Sequence, residues 1–191
     1  PLGMLGHSPN IGLAFDPDRA RRLMAEAGYP SGRNFQKIEA WASIGRDTPQ
    51  ITTYLQTQWR EYLGVEVTWR LFDWNDLRER LMTQVPHLYT LGWLADYPDP
   101  DSFLRVALHH PMYNHWHNTQ YEQLLDTARG LADPVERVKF YQAADRLLMH
   151  EAGILPLFYS RRHWLIKPWV KRYPVSALSA SYWKDAIIVP H

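Results

Sequence analysis

Apolar residues recur at helical spacing in six stretches, each opening on residues suited to start a helix. Asp16-Pro17 sets an N-cap acceptor before a proline at the first helical position, and Ala20, Leu23, Met24 and Ala27 form a stripe that stops at Gly28. Thr48-Pro49 repeats the device, with Ile51, Tyr54, Leu55 and Tyr62 on one face and Gly64 as the stop. Asp73 caps a short helix in which Phe72 staples to Leu77, with Leu81 one turn on. Asp99-Pro100 opens a fourth helix carrying Phe103, Leu104 and Ala107. Thr119 and Glu122 make a capping box ahead of Leu124, Leu125 and Ala128. Asp133-Pro134 with Glu136 starts the longest helix, whose stripe is Val138, Tyr141, Ala144, Leu147 and Leu148.

Strands fit the intervals. Phe35 to Ser43 follows the Gly32 turn, and Val65 to Leu71 alternates apolar and polar residues, which predicts one buried face. Leu88 to Trp93 has the continuous apolar character of a buried strand. Ile154 to Tyr159, Trp164 to Ile166 and Ile187 to Val189 are further strand candidates. The alternation of strand and helix predicts an α/β domain with at least part of its sheet parallel. From Pro168 the helical period disappears, and Trp169, Tyr173, Pro174, Trp183 and Pro190 lie among Ser and Ala, as in an extended tail that needs a partner surface.

Composition narrows the chemistry. The 191 residues suffice for a core without disulfides, and the absence of Cys excludes thiol catalysis, Cys-ligated zinc and iron–sulfur clusters. A net charge of +1, with Arg19, Arg21, Arg22, Arg161 and Arg162 scattered, argues against nucleic-acid binding. No run reaches the length of a membrane span, and Pro1 to Gly12, with neither an initiator Met nor a signal peptide, reads as a linker entering from something larger. Nine Trp and eleven Tyr are numerous for this length, and counts alone favour a Trp-rich core over a binding surface.

Nucleophile elbows, phosphate loops, dinucleotide-binding glycines and the HExxH zinc motif are all missing, so no enzymatic chemistry and no cofactor are expected. Asp16, Asp73, Asp99 and Asp133 have capping roles. Asp96 does not. It sits in Gly92-Trp93-Leu94-Ala95-Asp96-Tyr97-Pro98-Asp99-Pro100, beyond a predicted strand, where α/β sheets bind ligands. Two readings stand: a carboxylate between Trp93 and Tyr97 that receives an ammonium group, or one that caps the Tyr-Pro turn or pairs with an arginine. His115 and His117, in the loop from His109 to His117, are weak metal candidates, because neither a third ligand nor an acid stands at metal-site spacing; a solvated histidine loop is favoured.

Several segments in order resemble the family 5 extracellular solute-binding proteins, the oligopeptide, dipeptide and nickel receptors of ABC importers. They are Leu13 to Pro30, Leu63 to Val67, Asp73-Trp74, Gly92-Trp93 to Phe103-Leu104, Tyr121 to Asp126, Ile154 to Tyr159, Lys167 to Val170 and Ile188 to His191. The resemblance implies one lobe of a two-lobed periplasmic-binding-protein (type II-like) fold, a mixed sheet flanked by helices. It implies a linker at 1–14, a C-terminal α/β lobe at 15–167 and a tail at 168–191 that returns to a missing N-terminal lobe. It further implies a periplasmic or extracellular receptor that takes a small peptide or peptide-like solute and delivers it to ABC permease subunits. Asp96 would accept the ligand's α-ammonium, with Trp74, Trp93, Leu94, Ala95 and Tyr97 lining the cleft. Leu81 and Thr90 stand where some oligopeptide receptors carry arginines, which leaves metal-chelate and oligosaccharide ligands open. A ligand-sensing domain of a cytoplasmic transcription regulator is the alternative function.

Overall fold

Six helices and five strands follow one another in a computed structural model that describes residues 4–106, 116–160, 163–173 and 183–190. They sort into two compact units. Described residues 13–92 form one; 4–12, 93–106 and those from 116 onward form the other. The expected lobe at 15–167 therefore includes parts of both.

In the first unit, β1 (Ile38–Ser43) lies between β2 (Val67–Phe72) and β3 (Leu88–Tyr89), and all three run parallel. Ile38 pairs with Val67 and Ser43 with Phe72; Ala40 stands opposite Leu88. Ala40, Trp41 and Ala42 are buried in succession, the mark of a central strand covered on both faces. On one face Ile38, Ala40, Val65 and Val67 pack with Met24 of α1 (Pro17–Glu26) and with Trp59 and Leu63 of α2 (Thr48–Leu63). On the other, Trp41 and Phe72 pack with Leu77 and Leu81 of α3 (Trp74–Leu81). Asp16 accepts from Arg19 N–H, and Asp73 from Asn75 and Asp76 N–H, so both caps form as the sequence predicts. Gly32 and Gly64 both take positive φ, and a Cβ on Gly32 would collide with the Gly64 carbonyl: the turns after α1 and α2 press together there.

Some expectations need correction. On α2 only Thr52 is buried; Ile51, Leu55, Trp59, Tyr62 and Leu63 are half-buried, Trp59 and Leu63 pack against the sheet, and Tyr54 of the expected stripe is exposed. Thr48 caps nothing; its hydroxyl donates to the Ser43 carbonyl. The β2 alternation ends early, because Leu71 is exposed and Phe72 takes the core position. The Leu88 to Trp93 strand shrinks to two residues, Leu88 and Tyr89, which stand opposite Ala40 and Trp41 of β1.

The second unit is built on α4 (Asp101–Leu104), α5 (Thr119–Gly130) and α6 (Pro134–His150). Tyr121, Leu125 and Ala128 of α5 meet Tyr141, Ala144, Leu148 and Met149 of α6, with Leu104 closing the cluster. Asn118, not Thr119, caps α5 by accepting from Tyr121 N–H; a side chain one residue earlier reaches the same orphan amides. Asp133 caps α6 as expected. Ile154 to Tyr159 and Trp164 to Ile166 form no strand and are exposed, with no adjacent strand among the described residues to take their backbone groups. In the tail, β4 (Val170–Arg172) and β5 (Ile187–Ile188) pair antiparallel. No helix among the described residues is long and apolar enough to cross a membrane.

Candidate functional site

The segment from Trp93 to Pro100 contains no helix or strand of its own, so its shape rests on side chains reaching it from elsewhere. Asp99 anchors its far end. One oxygen of its carboxylate accepts the Asp101 N–H at 3.0 Å, and the other accepts from Arg137 Nη2 of α6 at 2.8 Å. The expected cap at Asp99 is thus half a cap and half an ion pair, with α4 starting two residues later. Asp101, buried at 6% exposure, accepts from Tyr97 Oη at 2.9 Å, from Arg105 Nε at 3.0 Å and from Tyr141 Oη at 3.4 Å. Arg105 continues to the Asp126 carboxylate and the Leu125 carbonyl, which ties the segment to α5.

These contacts shift the protonation of the network. Burial raises the Tyr97 hydroxyl above its ordinary value, and the bond to the Asp101 carboxylate adds to the rise. Tyr141 is raised first by burial, against the hydrogen bond from Arg137. Burial alone would lower Arg105, but its hydrogen bond to Asp101 and that carboxylate's charge raise it overall. Both acids withdrawn from water here have their own arginine, as burial of charge requires: the half-buried Asp99 with Arg137, and the buried Asp101 of α4 with Arg105.

Asp96 is treated differently. Its backbone N–H donates to Ser102 Oγ at 2.9 Å, while its side chain is exposed and engaged by no hydrogen bond or ion pair among the described residues. Neither the turn-cap nor the arginine-pair alternative is realised; Asp99 and Asp101 take those roles. Around it, Trp93, Leu94 and Tyr97 are exposed and Ala95 is half-buried. Trp74 belongs to the first unit, where it opens α3 directly after the Asp73 cap and is 47% exposed. Leu81 is a buried core residue at the end of α3, and Thr90 N–H donates to the Trp41 carbonyl. The nine tryptophans divide: Trp41 is buried and Trp59, Trp69 and Trp116 pack half-buried against the hydrophobic clusters, while Trp74, Trp93, Trp164 and Trp183 are exposed, so core filling accounts for only part of the Trp excess.

His117 is exposed, His115 lies outside the described residues, and no group of three His, Cys, Asp or Glu among the described residues suits a metal. The Asp101–Arg105–Tyr141 network escaped sequence reasoning. Its one legible signal is Asp101 and Arg105 at helical i, i+4 spacing.

Residues 1–114 match the model of the bacterial extracellular solute-binding proteins, family 5 Middle. Di/tripeptide-binding protein 4 of Pseudomonas aeruginosa is 28% identical over 197 residues, which covers all of this chain and 37% of that protein. The probable deoxycholate-binding periplasmic protein YgiS of Escherichia coli is 28% identical over 158 residues, covering 82% of this chain and 29% of that protein. The structure of the Escherichia coli murein tripeptide binding protein MppA superposes with a TM-score of 0.87 at 25% identity, over all of this chain and 39% of that one. The chain spans about a third of the length of the curated relatives it matches.

Proposed function

The chain belongs to the bacterial extracellular solute-binding proteins of family 5, and from that premise we propose that it supplies one wall of a peptide-binding cleft in the receptor of an ABC importer. A second lobe supplies the other wall, and the loaded receptor docks on permease subunits at the membrane. Capture involves no covalent step. Asp96 receives the α-ammonium of the solute, a charge-assisted contact that strengthens as closure expels water. Trp93, Leu94, Ala95 and Tyr97 contribute apolar and aromatic surface for the rest of the ligand. The name of the di/tripeptide-binding relative supports a peptide, and those of periplasmic relatives support the periplasm or cell surface.

One observation carries this reading. Of the three acids between Asp96 and the start of α4, the half-buried Asp99 and the buried Asp101 are paired with arginines and the exposed Asp96 is left open. An open carboxylate favours a cation. It disfavours an anionic steroid such as the deoxycholate named for one relative, although the exposed tryptophans suit either class.

The test is calorimetric titration of the natural full-length gene product with free-amine tripeptides. Asp96→Asn is expected to weaken binding roughly tenfold or more, the range for a hydrogen bond to a charged group. Equal affinity in the two proteins would remove Asp96 from the site.

A further inference from the structure

A carboxylate on an irregular segment holds a ligand well only if its main chain is already fixed, because ordering it on binding would subtract from affinity. We infer that Ser102 is the positioning residue for Asp96: its buried hydroxyl holds the Asp96 main chain in place and so sets the reach of the open carboxylate.

Ser102 is 2% exposed and sits in the first turn of α4, six positions after Asp96. Its Oγ accepts the Asp96 N–H at 2.9 Å. Hydroxyls in helices usually turn back on a preceding carbonyl, as Thr52 does on Thr48 and Thr127 on Gln123. Ser102 instead reaches out to the segment. Its neighbour Asp101 does the same for the next residue, accepting from Tyr97 Oη at 2.9 Å. Consecutive residues of one buried turn therefore pin consecutive residues of the segment. Arg105 neutralises Asp101, and Arg137 neutralises Asp99, so the pinning adds no uncompensated negative charge beside Asp96.

The inference rests on the reading that Asp96 receives an ammonium group, and a double-mutant cycle separates the two. Native protein, Ser102→Ala, Asp96→Asn and the double variant are titrated with Ala-Ala-Ala and with N-acetyl-Ala-Ala-Ala, in the natural full-length gene product. Ser102→Ala is expected to weaken Ala-Ala-Ala roughly three- to tenfold, the range for one hydrogen bond, and to shrink the preference for the free amine by the same factor. In the Asp96→Asn background the same change is expected to cost less than about twofold. Ser102→Thr, which keeps the hydroxyl, restores the preference.

An equal loss from Ser102→Ala with and without the Asp96 carboxylate would show that Ser102 acts through general packing, and would overturn the inference while leaving the role of Asp96 intact. Unchanged Ala-Ala-Ala affinity in Asp96→Asn, or no binding of either probe by the native protein, would remove the underlying reading and the inference with it. Circular dichroism establishes folding first. If Ser102→Ala is unfolded, Ser102→Cys, close in size but a weak acceptor, replaces it under the same criteria.

Discussion

Arg137 and Asp99 stand 38 positions apart in sequence, and Arg137 Nη2 lies 2.8 Å from Asp99 Oδ2. Both side chains are largely withdrawn from water, at 25% and 18% exposure. The pair fastens α6 to the segment that presents Asp96. Removing one member leaves a partly buried charge unmatched, and removing both does not. Arg137→Met is expected to destabilise by about 1–3 kcal/mol. Adding Asp99→Asn is expected to recover part of the loss, read as the coupling in a denaturant double-mutant cycle.

Tyr121 Oη donates to the Leu104 carbonyl at 2.8 Å within the core of the second unit. Tyr121→Phe removes that buried hydrogen bond, for an expected loss of about 1–2 kcal/mol in urea unfolding. Burial also pushes the Tyr121 hydroxyl far above its ordinary value of 10. The sign follows. Its contribution is complete below pH 10 and falls as alkali ionises the unfolded chain first. Stability measured between pH 9 and 12 is expected to fall more steeply in the native protein than in Tyr121→Phe.

Asp145 on α6 is raised above its ordinary value of 3.8 by burial, against the charges of Arg146 and His7. A carboxylate held up in this way ionises more readily unfolded than folded, so it costs stability as pH rises past its ordinary value. Asp145→Asn is expected to raise the unfolding temperature by a few degrees at pH 7. The gain should vanish below about pH 3.5, where both states carry the proton, and thermal melts at the two pH values check this.

Gly64 ends α2 with φ at +67°, and a Cβ there would run into the Ser31 carbonyl. Gly64→Ala adds left-handed strain of about 1–2 kcal/mol to that collision. Gly28→Ala, also at positive φ but with open space around it, carries the strain alone. Chemical denaturation is expected to rank Gly64→Ala clearly below Gly28→Ala.

Local rules reached the helices because a cap, a proline and an apolar stripe lie within a few residues of each other. Asp16, Asp73 and Asp133 cap where their spacing says they should. The same rules erred by one position where two residues compete for one role, as Asn118 and Thr119 do. Strands fared worse, since a strand exists only beside a partner that sequence spacing does not name. Val67–Phe72 found β1, whereas the more continuously apolar Ile154 to Tyr159 has no strand beside it among the described residues.

The sequence by itself determined an α/β chain without cysteine chemistry, most of the helix starts and the parallel alternation, and it left two readings of Asp96 standing. Those follow from residue type and short-range spacing, which chain chemistry sets directly. Only the tertiary structure decided which acid stays open. Asp96, Asp99 and Asp101 look alike within six residues of sequence, and they differ because Arg137, Arg105, Tyr141 and Ser102 reach some of their atoms and not others. Burial then demands that the inner two carboxylates be matched, and it places no such demand on the one left in water.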